Sequence, residues 1–473
     1  MAIKCTLLLI TILIFPALIY SQDKSYLPDS NKPEKEFIID SIVIHGNKKT
    51  KRSAILREMT ISQNDKVLSD HISSLLKENE RSIKNTELFV TVSCSVKYTA
   101  KEKINIIVDV KEEWYLFPNP IFELVDRNFN EWWVDQDHKL YRTRYGIYLY
   151  HDNFTGHNDR FRIKTQLGYS YSLKFSYSTP FLDKKQRIKL KTNFSYEKKK
   201  ETSYLHKYNE TKYFNHESDV LEDYDFYTEI IFRKGIHKYN SFGLRYKSTW
   251  VDEKIINLNS DYFANEKNFQ KYLAATYKYK LDKRDFKPYP QSGHIFRFEI
   301  YKKGLGLNPS VDFWNFKSIY KKFFDLGKNF YLSSSLKGKL SFPKNQPFTL
   351  EQGLGYGTEL IRGYEYYVIN GQSFWLNQNA MKFKLLDITL ENINLIPIKQ
   401  FNTIPVKVMA KTYFDHGFVR DNNPLKNPMA NNYLFGYGFG IDIVTFYEII
   451  LRLEYSFNHK NENDLFLHFK KAL

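Results

Sequence analysis

The chain has 473 residues, of which 17% are aromatic and 26% charged, and its formal net charge is +17. After residue 21 no apolar run approaches about 18 residues, which excludes transmembrane helices. The lysines are spread along alternating segments and are not gathered on one helix or stripe, so nucleic acid is not an expected partner, whereas anionic lipid is.

Residues 1 to 21 have the layout of a secretory signal peptide. Lys4 precedes an apolar run from Cys5 to Ile19, and the small residue Ser21 stands before the polar sequence QDKS. The run is too short to cross a membrane comfortably as a helix, although an uncleaved N-terminal anchor remains the alternative. We therefore expect an exported chain that continues, at residues 22 to 35, with a polar tether.

The two cysteines, Cys5 and Cys94, predict neither a disulfide nor a metal site. Because Cys5 leaves with the signal peptide, Cys94 has no partner within the mature chain. Cys5 also lies too early in the chain to be a lipid-anchoring cysteine. No cofactor is expected, and Cys94 is most simply a small core residue.

Residues 36 to 113 carry the pattern of a small α+β domain. A strand ending at Gly46 is followed by a short helix, at Lys51 to Met59, and a longer amphipathic helix that includes Ile72 and Ile83. Two alternating strands follow, FVTVSCSVKYT and INIIVDVKE, and the first places these residues on one face: Val90, Val92, Cys94, Val96 and Tyr98. This order of elements resembles a POTRA domain, the periplasmic module of outer-membrane assembly and secretion barrels.

From residue 114 to residue 473 the sequence is a series of alternating strands. In RIKLKTNFSYEK, for example, Ile188 and Leu190 oppose Lys189 and Lys191. One face suits lipid and the other suits water, and a soluble sandwich rarely keeps this alternation over so long a stretch. The predicted fold is mainly β, a transmembrane antiparallel β-barrel with a basic lumen, preceded by one small α+β domain.

About 16 strands are predicted, an even number as in bacterial barrels. They start near residues 118, 144, 159, 171, 187, 224, 241, 269, 293, 311, 329, 373, 404, 433, 447 and 463. With the N-terminal domain in the periplasm, the first strand runs outward. The short links, such as residues 237–240, then lie on the periplasmic side of the membrane. The long links lie on the outer side: residues 200–223, 251–268, 341–372 and 420–432.

The link at residues 341–372 is the sixth outer loop on this count, and it contains the sequence LIRGYEYY. Here the chain resembles the BamA/TamA superfamily of POTRA-barrel proteins, whose sixth loop folds into the lumen with an Arg-Gly-Phe/Tyr tip. Arg362, Gly363 and Tyr364 match that tip. The sequences LDKRDFKPYPQSG, YFDHGFV and GYGFGIDI match three further stretches in order, and HDNFTG and SYSTPFLDKK extend the resemblance. It implies a bacterial outer-membrane location.

Strand parity predicts what the loop tip meets. Asp415 falls on the inward face of its strand, and the next strand presents these inward residues: Gly436, Gly438, Gly440 and Asp442. Glycine positions leave room for another segment of the chain to pack against the barrel wall. We expect this segment to be the sixth loop. We predict that Arg362 pairs with Asp415, a pair that the resemblance also implies, with Asp442 as a second candidate partner. A solvated outer loop is the alternative.

The resemblance also implies a seam, a weak contact between the first and last strands that opens toward lipid. An edge strand is a template to which a client strand can add. The last strand, NDLFLHFKKAL, carries Leu465, Leu467 and Phe469 on one face. It ends in leucine, whereas family members commonly end on an aromatic residue.

The strand carrying Val90, Val92 and Val96 offers a second free edge. It could bind an extended client or an accessory subunit, and a purely structural role is the alternative. Only one POTRA domain is predicted, whereas general assembly proteins usually carry several.

These patterns predict insertion of polypeptides into the outer membrane or their transport across it. The expected partners are outer-membrane lipid, unfolded outer-membrane or secreted polypeptides, and periplasmic accessory proteins that dock on the POTRA domain. The sequence contains no P-loop, HExxH or GxSxG motif, and His416 points away from its neighbour Asp415, so an enzyme is not expected. A passive or ligand-carrying pore is the main alternative, and a barrel lipase is a more distant one.

Overall fold

The computed structural model describes residues 35–100, 102–124, 143–263, 266–306, 311–390, 404–422, 424, 427–445 and 449–471. The predicted signal peptide, residues 1–21, and all of the predicted tether except Lys35 lie outside the described residues. Within the described ranges, none of the helices combines the length and the apolar composition that crossing a membrane requires.

The N-terminal domain is a four-stranded sheet covered by two helices. Its elements are β1 (Glu36–His45), α1 (Arg52–Leu56), β2 (Lys66–Leu68), α2 (Ile72–Lys84), β3 (Phe89–Ala100) and β4 (Lys103–Glu112). The strand order is β2-β1-β4-β3, with β1 parallel to β4 and the other neighbours antiparallel. Isoleucines from helix and sheet fill the core, among them Ile39, Ile55, Ile83 and Ile104.

The apolar face of β3 differs from the prediction at both ends. Val92, Cys94 and Val96 pack against the core as expected, but the core residue before them is Phe89 and not Val90. The register of β3 against β4 shifts between Phe89 and Thr91, and this bulge changes which side chain points inward. Tyr98, predicted on the same face, is 65% exposed, because the register shifts again after it.

Sixteen strands form the barrel sheet, as predicted, and each begins within three residues of its predicted start. They are β5 (Leu116–Leu124), β6 (Thr143–Asp152), β7 (Arg160–Gly168), β8 (Ser170–Ser178), β9 (Ile188–Lys199), β12 (Leu221–Lys234), β13 (Lys238–Val251), β14 (Phe269–Asp282), β15 (Gly293–Lys303), β16 (Phe313–Gly327), β17 (Phe330–Phe342), β18 (Ser373–Leu390), β19 (Ile404–Arg420), β20 (Tyr433–Val444), β21 (Ile449–Asn458) and β22 (Asn463–Lys471). Neighbours in the chain are neighbours in the sheet, and every pair is antiparallel.

The two faces of the barrel wall have opposite chemistry. In β12, Phe226, Ile230 and Phe232 are exposed, whereas Tyr227 and Glu229 between them are buried. Since successive side chains point to opposite faces, the first set faces lipid and the second faces the lumen. The alternation predicted from sequence is therefore the division between membrane and interior.

Two of the long outer links contain structure that the sequence did not predict. The link after β9 folds into a hairpin of β10 (Glu201–Lys207) and β11 (Glu210–Asn215), which pair only with each other. The link after β13 contains a short helix, α3 (Glu253–Leu258), whose Ile255 packs with Tyr262 and Phe263. Both elements depend on contacts between separate links, which residue periodicity does not reveal.

The N-terminal domain packs against turns at one end of the barrel. Arg233, at the end of β12, donates hydrogen bonds of 2.8 and 2.5 Å to the carboxylate of Glu58. Asn85 donates to the carbonyl oxygen of Asp285 at 2.9 Å, and Asn153 donates to Thr50 at 2.9 Å. These turns are the links predicted to face the periplasm, so the domain lies on the periplasmic side.

Candidate functional site

The link between β17 and β18, residues 343–372, is here called the sixth loop. It folds back on itself, with isolated antiparallel bridges between Leu354 and Ile369 and between Tyr356 and Glu359. At its tip Gly363 has a φ of +93°, a backbone conformation that residues other than glycine rarely adopt. The turn at Gly363 directs Arg362 toward the barrel wall.

Arg362 binds the carboxylate of Asp415 through two side-chain nitrogens. Nε lies 2.7 Å from Oδ2 and Nη2 lies 2.5 Å from Oδ1, and the backbone N–H of Arg362 also donates to Oδ2 at 3.2 Å. The guanidinium stacks 3.9 Å above the ring centroid of Tyr413. Asp415 is fully buried and the arginine side chain is only 12% exposed. This bidentate geometry is the strongest form of arginine–carboxylate contact.

A balanced network of charges surrounds this pair. Glu454 lies 3.3 Å from Arg362 and 2.9 Å from Lys411, and Lys411 lies 2.5 Å from Asp442. Arg452 donates to Asp442 at 2.8 and 3.0 Å. Three cations thus face three carboxylates in the buried interior, as a stable network of this kind requires.

Asp442, predicted as a second partner of Arg362, is instead bound within the wall. It contacts Lys411, Arg452 and the hydroxyl of Tyr289, the last at 2.9 Å. The second carboxylate that contacts Arg362 is Glu454. Strand parity predicts that Glu454 lies on the inward face, but it does not predict a contact with the sixth loop. Strand register decides between the two carboxylates, because Glu454 pairs with Gly440 and not with a bulky residue.

The three inward glycines of β20 serve different neighbours. A Cβ atom at Gly436 would stand 2.0 Å from the carbonyl oxygen of Arg362, so this glycine admits the loop itself. At Gly438 the Cβ would meet the hydroxyl of Tyr413 at 2.5 Å, and at Gly440 it would meet the backbone and side chain of Glu454. Only Gly436 therefore leaves room for the loop directly, and the other two accommodate the residues that bind Arg362.

Lysines on the opposite side of the loop bind its backbone and one carboxylate. Lys337 donates to the carbonyl oxygen of Thr358 at 2.6 Å, and Lys339 donates to that of Gln352 at 2.5 Å. Lys317 pairs with Glu359. The loop is thus bound to β16 and β17 as well as to β19 and β21.

Tyrosines after Gly363 contact the beginning of the last strand and the turn that precedes it. Tyr366 donates to Asp464 at 2.6 Å, and Tyr367 donates to Glu462 at 2.9 Å. Tyr364 is buried and its hydroxyl contacts His459. Tyr364 was predicted at the loop tip, whereas the sequence motif gave no role to the two tyrosines that follow.

The first and last barrel strands are neighbours in a closed barrel, yet no backbone pairing joins β5 to β22 among the described residues. Leu465 and Leu467 are 57% and 62% exposed, as expected of a lipid-facing edge. The side chain of Phe469 lies outside the described residues, as does the C-terminal Leu473.

The outer hairpin covers the sixth loop. Asn209, at its tip, is 1% exposed and accepts a backbone hydrogen bond of 2.8 Å from Val368 in the loop. Its side chain accepts from the N–H of Met429 at 3.1 Å and contacts Asn427. Two outer links therefore meet over the loop, one from each side.

The residues that the structure describes contain no group of three histidine, cysteine, aspartate or glutamate side chains arranged to hold a metal ion. His416 contacts Asn377 and Tyr433, on the face opposite to that of Asp415. The site therefore consists of a loop, a charged wall and an unpaired strand edge.

Comparison with known proteins agrees with this architecture. Residues 153–464 match the Omp85 superfamily domain, and residues 37–113 match the POTRA description "surface antigen variable number repeat". Among curated proteins, none matches the sequence.

Two kinds of solved structure are similar. BamA from Haemophilus ducreyi lacking POTRA domains 1–3 is 15% identical with a TM-score of 0.50, over 91% of this chain and 83% of that one. CdiB from Escherichia coli is 9% identical with a TM-score of 0.48, over 96% and 93%. With a POTRA domain on the periplasmic side and the superfamily domain matched over most of the barrel, the chain belongs to the Omp85 superfamily of outer-membrane proteins.

Proposed function

We propose that the protein inserts polypeptides into the outer membrane or moves them across it, and that the seam between β5 and β22 is where it does so. Membership of the superfamily supports the general function. The seam and the role of the sixth loop are our inference from the contacts of the loop and of the last strand.

The observation that carries the proposal is the absence of backbone pairing between β5 and β22 in the described part of the chain. An unpaired edge presents free N–H and C=O groups, which an extended polypeptide can pair with. In lipid these groups have no water to bind, so any strand that pairs with the edges stabilises them. A client strand is such a partner.

The sixth loop has two roles in this proposal. It occupies the lumen next to β19 and β21, so the interior is a poor open pore. Through Tyr366 it also holds the outer end of the last strand, and through Tyr367 it holds the turn before that strand. Opening of the seam is therefore coupled to release of these two contacts.

Capture of a client at the seam tests the proposal. A photo-crosslinking residue placed at Leu467 or Phe122 should form adducts with polypeptides during export. The same residue at Phe242, which is lipid-facing in β13 and distant from the seam, is the matched control. Equal labelling at Phe242 and at the seam would contradict the proposal.

A passive pore is the second candidate, and one cavity favours it. A chamber of about 990 Å³ lies between the N-terminal domain and the inner wall, and thirteen lysine and arginine side chains but only five carboxylates line it among the described residues. Such a surface would favour anions. A large, steady, anion-selective conductance from the purified protein would support the pore, whereas small flickering currents support polypeptide handling.

A further inference from the structure

The chamber of about 990 Å³ between the N-terminal domain and the inner wall contains cations that its own carboxylates do not neutralise. Four of its five carboxylates already form ion pairs with neighbouring cations, and they are Glu58, Glu87, Glu229 and Asp282. Six cations of the lining form no ion pair with any described residue: Arg162, Lys164, Lys189, Lys280, Lys287 and Arg297. The chamber therefore carries positive charge that a bound anion can neutralise.

Three of these cations form a first group, on the side of the chamber made by β7 and β9. Arg162 and Lys164 lie on the inward face of β7, and Lys189 lies on that of β9. Nε of Arg162 has no hydrogen-bond partner in the described part of the chain. Lys164 stands directly across from Lys174 in the register of β7 with β8, and Glu197 binds only Lys174. Like charges opposite each other on neighbouring strands destabilise a sheet.

The other three cations form a second group, at the periplasmic ends of β14 and β15 and in the turn between them. Lys280 and Arg297 are directly opposite each other in the register of these strands, which is again a pair of like charges. The ammonium group of Lys280 lies 4.4 Å from the ring centroid of Tyr239, and that of Lys287 donates to the carbonyl oxygen of Asn85 at 2.9 Å. Neither contact supplies a negative charge.

The distance between the two groups indicates the kind of anion that fits both. They are separated by three strand spacings, counted from β9, and by five, counted from β7. At about 4.8 Å per spacing this is about 14–24 Å along the wall, which about five to seven residues of extended polypeptide span. Uncharged polar side chains lie between the groups and can bind peptide amides: Ser176, Asn193 and Ser241. A single phosphate group reaches only one of the two groups.

We propose that this chamber binds an extended, acidic segment of the polypeptide that the protein handles, with carboxylates at both groups of cations. The inference rests on the proposed function and adds to it a binding site inside the barrel, separate from the seam. Charge-assisted hydrogen bonds to lysine and arginine supply the affinity, and the bound carboxylates relieve the repulsion between Lys280 and Arg297.

Peptides with defined spacing of charge provide the probe. The full chain in detergent is titrated with a capped peptide of two glutamates, four serines and two glutamates that carries a neutral fluorophore, and anisotropy gives the dissociation constant. A peptide of the same composition with all four glutamates at one end reaches one group of cations only. We expect it to bind at least about tenfold more weakly. The version with glutamine in place of glutamate should not bind.

Neutral variants test each group of cations separately. One double variant is Arg162→Gln with Lys164→Gln, and the other is Lys280→Gln with Arg297→Gln. Each should weaken binding of the first peptide by about tenfold or more, because two charged contacts are lost. The unfolding midpoint should not fall in either double variant, since both remove a repulsion between like charges.

The control changes the net charge equally outside the chamber. Lys234→Gln with Lys238→Gln, two exposed residues at the turn between β12 and β13, should leave the affinity within about twofold. Weakening in this control as large as in the chamber variants, or no effect of either chamber variant, would overturn the inference.

Two further outcomes are distinct. Tripolyphosphate that binds more tightly than the first peptide, and responds to only one of the two double variants, would identify a phosphate site and overturn the inference. Photo-crosslinking at Leu467 reports separately on the proposed function. If the chamber binds no peptide while polypeptides still crosslink at Leu467, only this inference fails, whereas loss of those crosslinks from the natural chain contradicts the proposed function itself.

Discussion

The hydroxyl of Tyr366 donates a hydrogen bond of 2.6 Å to Asp464, and so the sixth loop contacts the inward face of the last barrel strand. The same carboxylate accepts from the N–H of Leu465 in that strand. One aspartate thus joins the loop to the seam.

Removing the Tyr366 hydroxyl should loosen the outer end of β22. In Tyr366→Phe we expect amide hydrogen exchange at residues 463–467 to become several-fold faster, because one of the contacts that hold this end is lost. Tyr224→Phe is the matched control, since that hydroxyl binds Glu222 in β12, which is not a neighbour of β22 in the sheet. Equal exchange in Tyr366→Phe and the natural chain would show that the loop does not restrain the strand.

Arg362 and Asp415 should show strong energetic coupling. Removing either partner leaves a buried charge, and we expect Asp415→Asn to lower the free energy of unfolding by about 3–5 kcal/mol. Adding Arg362→Gln should cost little more, so the double-mutant cycle gives a large coupling energy. Urea unfolding in detergent measures it. Glu454→Gln should couple to Arg362 more weakly, because its single contact is 3.3 Å long.

A methyl group at Gly436 should displace the sixth loop. The added Cβ would stand 2.0 Å from the carbonyl oxygen of Arg362, and overpacking of this kind costs about 1–3 kcal/mol. We expect Gly436→Ala to lower the unfolding midpoint and to expose residues 343–372 to added protease. Gly338→Ala is the control, because its nearest neighbouring atom lies 3.9 Å from the added Cβ. Equal midpoints in the two variants would contradict the close packing of the loop on β20.

Docking of the POTRA domain should weaken in acid. Burial raises the pKa of Glu58, but the hydrogen bonds and charges of Arg233 and, to a smaller extent, Arg57 outweigh it and lower the pKa from 4.5 to about 2. A carboxyl with a lowered pKa stabilises the folded state above its unfolded-state pKa. This contribution, about 3 kcal/mol, is therefore present above pH 4.5 and is lost as the pH falls toward 2.

Hydrogen exchange at residues 52–59, measured between about pH 6 and about pH 2.5 with correction for intrinsic rates, tests this pH dependence. Glu58→Gln should weaken docking at the upper end of that range and flatten the profile. Glu36→Gln, which removes an exposed pair with Lys66, should change neither. A Glu58→Gln profile as steep as that of the natural chain would rule out this group as the cause.

Strand alternation made the barrel predictable. A period of two separates lipid-facing from lumen-facing residues within each strand, so β9, β14 and β21 could be found independently of one another. The inward position of Asp415 followed from the same rule. Parity alone also assigns Arg452 and Glu454 to the inward face of β21, where both contact the charged network.

Register and contacts between distant segments were not predictable in this way. Which carboxylate meets Arg362 depends on how far β19, β20 and β21 are shifted along one another, and no local pattern encodes that shift. The β10–β11 hairpin is stable through its contact with links more than a hundred residues away. The bulge at Phe89 likewise changes an inward position without changing the residue pattern.

Asn209 gives the outer surface an unusual property. Hairpin tips are ordinarily the safest places to insert foreign sequence, but at this tip Asn209 is buried against two other links, while Tyr208 beside it is 64% exposed. An insertion next to Asn209 would break its contacts with Val368 and Met429, so an epitope tag or an antibody-accessible label belongs on the flank of the hairpin, beside exposed Tyr213.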